Sequence, residues 1–171
     1  MSAAGARDTG RPLPVVLSLG ANLGDRAAAL DAAVAALRAA DGLVVDAVSE
    51  PLASEPVGPV REQPEFLNLV VLGRTELAPR ELLALCHEVE RRGGLDRSVK
   101  VPGGARPIDV DVVAHGDLVL DEPDLVLPHP RAHERTFVLA PWAQLDPGAV
   151  LPGPRGGPVR ELLARLVGED A

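Results

Sequence analysis

The 171-residue sequence predicts an α+β fold: a ferredoxin-like βαββαβ antiparallel sheet with its helices on one face, extended by a C-terminal hairpin and helix. Three observations lead there. Four apolar runs of strand length recur along the chain. A helix-length segment separates the first run from the second, and another separates the third from the fourth. Hydrophobic residues make up 46% of the chain, which suits one domain with a sizeable core and excludes a disordered protein.

The elements follow in order. Residues 14–20, PVVLSLG, form a short apolar run ending in glycine, which reads as a buried strand. ANLGDR then turns the chain, with Asp25 suited to cap a helix over 27–42 that Gly42 closes. Residues 43–54 read as a second strand. Residues 55–65 hold three prolines and a glycine, a loop long enough to suggest binding. FLNLVVLGRT (66–75) is a third strand, and 78–94 a helix stopped by Gly93 and Gly94. A Gly- and cation-bearing loop follows, then the fourth strand, RPIDVDVVAH (106–115). Residues 115–131 read as a small hairpin. Residues 132–147 read as a helix broken near Pro141, and 156–171 hold an amphipathic helix. Residues 1–13 are expected to form a disordered tail and 14–171 a single domain.

Composition narrows the function. The formal net charge is −8, which argues against sequence-independent binding of nucleic acid. Cys86 is the lone cysteine, so no disulfide framework or zinc set can be built from one chain, and its apolar setting predicts core packing. No signal-peptide h-region or membrane-length apolar run is present, and a soluble, cytoplasmic protein is expected. Aromatics are scarce, with two Phe, one Trp and no Tyr, so an aromatic in a motif stands out.

In the fourth strand Asp109 and Asp111 alternate with Ile108, Val110 and Val112, so both carboxylates share one face. They suit a solvated outer face. They equally suit a divalent-metal seat, since like charges so close call for a cation. Arg106 just before them, with Arg97 and Lys100 in the preceding loop, adds the cations that phosphoryl transfer needs. LSLGANLGDR is neither a Walker A loop nor a dinucleotide fingerprint. A tight turn explains Gly24 and Asp25. A flat ligand approached by backbone explains Gly20 and Asn22 better, and makes them substrate-binding candidates. In QPEFLN, Phe66 and Asn68 share a strand face, either as core residue and edge polar or as ring stacker and edge reader. LPHPRAHERTFVLAP gathers His129, Arg131, His133, Arg135 and Phe137, read either as caps and surface charge or as phosphate contacts beside a second aromatic wall.

Together LSLGANLGDR, EPVG…EQPEFLN, RPIDVDVV and LPHPRAHERTFVLAPWAQLDP resemble, in order and spacing from about Val15 onward, the 6-hydroxymethyl-7,8-dihydropterin pyrophosphokinase family of folate biosynthesis. The resemblance implies transfer of pyrophosphate from ATP to the pterin hydroxymethyl group, releasing AMP. It implies two Mg²⁺ ions between ATP and Asp109 and Asp111. It implies a pterin ring between Phe66 and Phe137, with its edge read by Asn68 and by backbone groups of Ser54, Glu55 and Val57. ATP contacts fall by the same resemblance on Glu90, Arg106, His129 and Arg135, with Ile108 near the adenine, and Arg97 stands as a loop arginine. The expected partners are these two small molecules, with no nucleic acid or membrane, and the expected state is a monomer. One region departs from the family pattern. In GGLDRSVKVPGGARPID, Leu95 occupies the place of the first loop arginine, and a glycine near 103 the place of a tryptophan. The alternative activity this leaves is a non-catalytic pterin- or nucleotide-binding homologue.

Overall fold

The computed structural model describes residues 11–56, 62–95 and 105–169. Strand β1 (Leu13–Ala21) leads into α1 (Arg26–Ala39), then β2 (Leu43–Val48), β3 (Leu52–Ser54), β4 (Phe66–Thr75), α2 (Pro79–Arg92) and β5 (Asp109–His115). The hairpin β6 (Leu120–Glu122) and β7 (Leu125–Leu127) follows, then a 3₁₀ turn at Ala132–Glu134 and α3 (Thr136–Leu145). A two-residue ladder, β8 (Val150–Leu151) with β9 (Gly157–Pro158), precedes α4 (Val159–Glu169).

The sheet runs β2-β4-β1-β5, with each neighbour antiparallel, which is the predicted split βαβ order. Asp25 caps α1 as expected, its carboxylate accepting from Ala28 N at 3.0 Å. The single strand expected over 43–54 is two strands lying end to end along β4. Pro51 has no N–H for the ladder. At the gap, Ser49 takes over: its N–H donates to Val70 O at 2.9 Å, and its Oγ accepts from Val70 N at 2.8 Å.

Alternation splits the sheet residues between two cores. Leu17, Leu19, Leu69, Val71, Val110 and Val112 pack with Leu30, Leu37, Leu82, Cys86 and Val89 of α1 and α2. This is the helical face the sequence predicts, and Cys86 is a core residue. Val16, Val70, Val113 and Ala114 face the other way, where Val138, Leu139 and Trp142 of α3 cover them and Val159 and Leu162 of α4 complete the layer. Helices therefore lie on both faces, and α4 docks chiefly on α3. The break expected at Pro141 does not occur. Pro141 is buried within a continuous α3, flanked by the core residues Leu139 and Trp142 that hold the helix in place despite the missing N–H.

Candidate active site

The α3-side face is open at one end of the sheet. There β1 presents Ser18 and Gly20, β4 presents Phe66 and Asn68, and β5 presents Asp109 and Asp111. Gly20 pairs with Asn68 on one side and Asp109 on the other, and Ser18 pairs with Val70 and Asp111. The central strand carries its smallest side chains where its neighbours carry functional ones. The result is a cleft of about 150 Å³ that both groups line.

One wall is aromatic and neutral. Phe66 from β4 and Phe137 from the first turn of α3 are half-buried and line the same cleft. Asn68 is buried, and its Nδ2 donates to Ser54 Oγ at 2.7 Å and to Leu52 O at 3.1 Å. Those bonds fix the amide so that Oδ1 lies over Gly20, 3.0 Å from where a β-carbon would sit. Glu55 lies at the rim and Val57 outside the described residues. A flat ring with a hydrogen-bonding edge matches two aromatic faces and one oriented amide.

The other wall is charged. Asp109 and Asp111 face the cleft from β5, as the alternation predicts. Arg135 Nη1 lies 3.9 Å from Asp111 Oδ2, and its Cζ lies 5.5 Å from the centre of the Phe137 ring. Arg135 Nε is buried without a hydrogen-bond partner. Burial pushes the Arg135 pKa down, opposed by the Asp111 charge. A half-buried guanidinium held beside a carboxylate with a donor to spare suits an incoming anion. Arg106 is buried at the same cleft.

His129 is placed by its backbone, which donates to Val113 O at 2.8 Å, and its Nδ1 accepts from Arg131 N at 3.1 Å. Burial drives its pKa down to about 4, helped by the Arg135 and Arg131 charges and opposed by Asp109. At neutral pH the ring is therefore uncharged, with its proton on Nε2. His129 therefore adds no positive charge beside Arg131 and Arg135 at neutral pH.

Two carboxylates on adjacent rows of one strand, open to a cleft, fit a hard divalent cation that completes its shell with water and phosphate oxygens. No cluster of three or more metal-ligating side chains occurs among the described residues, so such an ion would lean on its substrate.

Four sequence candidates do not line the cleft, the first being His129, which lines a separate hollow with Pro128, Pro130 and His133. Asn22 is 1% exposed, with its amide bonded to Gln63, Pro64 and Arg106, and does not line the cleft. Glu90 is also 1% exposed, and its Oε2 accepts from Val110 N at 2.9 Å on the outer edge of β5. Ile108 points into the α2-side core, packed so closely on Gly93 that a β-carbon there would come within 2.4 Å. Arg97 lies outside the described residues. Leu95 is buried, with its N–H bonded to Glu90 O at 3.0 Å, and helps close α2. Ser18 was not foreseen. Its place two residues before Gly20, on the same face, was the available signal.

An antiparallel sheet that sets an acidic pair and a guanidinium beside two phenylalanines suits the transfer of phosphate groups onto a flat acceptor. The comparisons with known proteins agree. A sequence model of the 7,8-dihydro-6-hydroxymethylpterin-pyrophosphokinase family matches residues 16–147. The chain is 41% identical over 150 residues to the 2-amino-4-hydroxy-6-hydroxymethyldihydropteridine pyrophosphokinase of Methylorubrum extorquens, covering 88% of this chain and 91% of that one. It is 39% identical over 129 residues to the protein of that name from Bacillus subtilis, covering 75% of each, and 40% identical over 171 residues to that of Mycobacterium bovis, covering 91% and 85%. The chain belongs to the 7,8-dihydro-6-hydroxymethylpterin-pyrophosphokinase family.

Proposed function

We propose that this chain is an ATP-dependent diphosphotransferase that moves the terminal pyrophosphate of ATP onto the hydroxymethyl group of 6-hydroxymethyl-7,8-dihydropterin, in folate biosynthesis. The observation that carries the reading is the row Asn68–Gly20–Asp109, in which the Asn68 amide and a carboxylate of the acidic pair stand across one glycine.

The acceptor ring lies between Phe66 and Phe137, its polar edge toward Asn68, with backbone of Ser54 and Glu55 beside it and Val57 assigned to the same group by sequence alone. Gly20 provides the floor. The triphosphate lies over Asp109 and Asp111. Two Mg²⁺ ions held there would neutralise the phosphate oxygens and draw charge from the reacting phosphorus. Arg135 and Arg106 donate to the phosphate chain. His129, neutral and protonated on Nε2, adds a donor without charge. Arg97 belongs to the same group by sequence position, and Glu90 and Ile108 hold β5 and its adenine-side backbone. In the reaction the hydroxymethyl oxygen bonds to the β-phosphorus. The bond from that phosphorus to the α–β bridging oxygen breaks, its electron pair leaves with AMP, and one proton is released. The chain contributes position and electrostatic complementarity and forms no covalent intermediate.

A single-chain cytoplasmic enzyme with no nucleic-acid partner accords with the −8 charge, and no described helix is long and apolar enough to cross a membrane. The test is product analysis. With ATP, Mg²⁺ and the pterin, AMP and pterin diphosphate should rise together and only when all three are present. ADP in place of AMP, or no nucleotide turnover, overturns the reading.

A further inference from the structure

We propose that Asn22 is a positioning residue: it sets the separation between the Phe66 wall and the Asp109 carboxylate, and so controls the rate of transfer without touching either substrate. The inference rests on the function proposed above.

Asn22 follows directly on β1, the strand between the two walls. Its Nδ2 donates to Gln63 Oε1 at 2.8 Å and to Pro64 O at 3.0 Å. Its Oδ1 accepts from Arg106 N at 2.7 Å, and its own N–H donates to Arg106 O at 3.0 Å. Every donor Asn22 has is engaged, so none remains for a ligand. Pro64 lies two residues before Phe66, and Arg106 lies three before Asp109. One amide therefore ties the entry of β4 to the entry of β5.

The turn that holds Asn22 is itself fixed, by Gly24 at φ 62° and by the Asp25 cap of α1. Arg26 repeats the tie on the acceptor side, its Nη1 donating to Glu65 O at 2.8 Å. Asn22 adds the link to the carboxylate side. Losing half of a buried amide's bonds leaves polar groups unpaired, and the two segments move apart to recover them. Transfer needs the hydroxymethyl oxygen and the β-phosphorus at contact distance, and a misplacement of about 1 Å can cost about 10²-fold in rate.

The experiment compares full-length wild type with N22D and Q63L. N22D is isosteric. It keeps an acceptor for Arg106 N and sets an oxygen against the two acceptors Gln63 Oε1 and Pro64 O. Q63L removes one bond only. Dissociation constants are measured separately for 6-hydroxymethyl-7,8-dihydropterin and for Mg²⁺ with α,β-methylene ATP, beside the single-turnover rate of AMP formation. The expected result for N22D is a transfer rate lower by about 10²-fold with each single-ligand constant little changed, and for Q63L a smaller loss in the same direction. A lower melting temperature with an unchanged transfer rate would make Asn22 merely structural. A weaker pterin constant with an unchanged rate would make it a direct contact, and either result overturns the inference. Should N22D not fold, an unchanged rate in Q63L does so alone. Wild type that forms no AMP overturns the proposed function, whereas active wild type beside an equally fast N22D overturns only this inference.

Discussion

Asn68 and Asp109 stand on opposite sides of Gly20, each its direct partner in the neighbouring strand. The Asn68 amide and the Asp109 carboxylate are thus joined through a residue with no side chain to intervene. A β-carbon at Gly20 would meet Asn68 Oδ1 at 3.0 Å and Phe66 Cδ1 at 3.6 Å. Gly20 does not have a positive φ, so alanine there strains no backbone. G20A should still lower stability by about 1–3 kcal/mol, because the buried amide must turn away from its bonds to Ser54 and Leu52, and should raise the pterin KM about tenfold or more. Parallel melting curves and steady-state kinetics check both halves.

The acidic pair should be indispensable. D109N and D111N each remove one charge from the acidic face of the cleft, and each should lower kcat by about 10²–10³-fold. Chelation of divalent ions should stop turnover of wild type as completely. Calorimetric titration of Mg²⁺ with α,β-methylene ATP into the variants should show weakened nucleotide binding, with pterin binding retained. D111N also frees Arg135 from its carboxylate neighbour at 3.9 Å.

Acid should destabilise the fold partly through His129. The folded chain protonates this ring only near pH 4, whereas a free histidine does so near 6.5. Between those values the unfolded chain binds more protons, so stability rises with pH across that window. The contribution is complete above about pH 6.5 and drains away as pH falls toward 4. In thermal melts across that range H129Q should lose less stability on acidification than wild type does. Equal slopes for the two proteins would place the acid response in other groups.

Glu90 should matter for the strand more than for a ligand. Its Oε2 satisfies the N–H of Val110, which lies between the two aspartates on the outer edge of β5. E90A leaves that donor unpaired and should cost about 1–3 kcal/mol of stability in urea denaturation, whereas E90Q keeps an acceptor and should recover most of it.

Much of the site was legible because period-two alternation fixes which face a side chain takes. Asp109 with Asp111, and Phe66 with Asn68, could each be assigned to one face from spacing alone. The same rule placed Ile108 on the opposite face, so that only its backbone can serve the site. What alternation cannot supply is register. Spacing put Ser18 on the face of Gly20, but its pairing with Asp111 became visible only once β1 was set against β5. The use of Asn22 was hidden for a similar reason, since its partners lie 41, 42 and 84 residues away. The continuity of α3 through Pro141 came from tertiary packing that overrides local propensity, whereas the split between β2 and β3 falls at Pro51, a local signal present in the sequence.

The proposed sandwich of the acceptor ring can be tested directly because the chain has two phenylalanines and no tyrosine. With ring-labelled phenylalanine, NMR shows two Phe ring spin systems, one for Phe66 and one for Phe137. Saturation with Mg²⁺, α,β-methylene ATP and 6-hydroxymethyl-7,8-dihydropterin should shift both and give nuclear Overhauser contacts from each ring to the pterin protons. Pterin bound at saturation with neither phenylalanine in contact would contradict the placement of the acceptor over Gly20, and with it the account of how this cleft works.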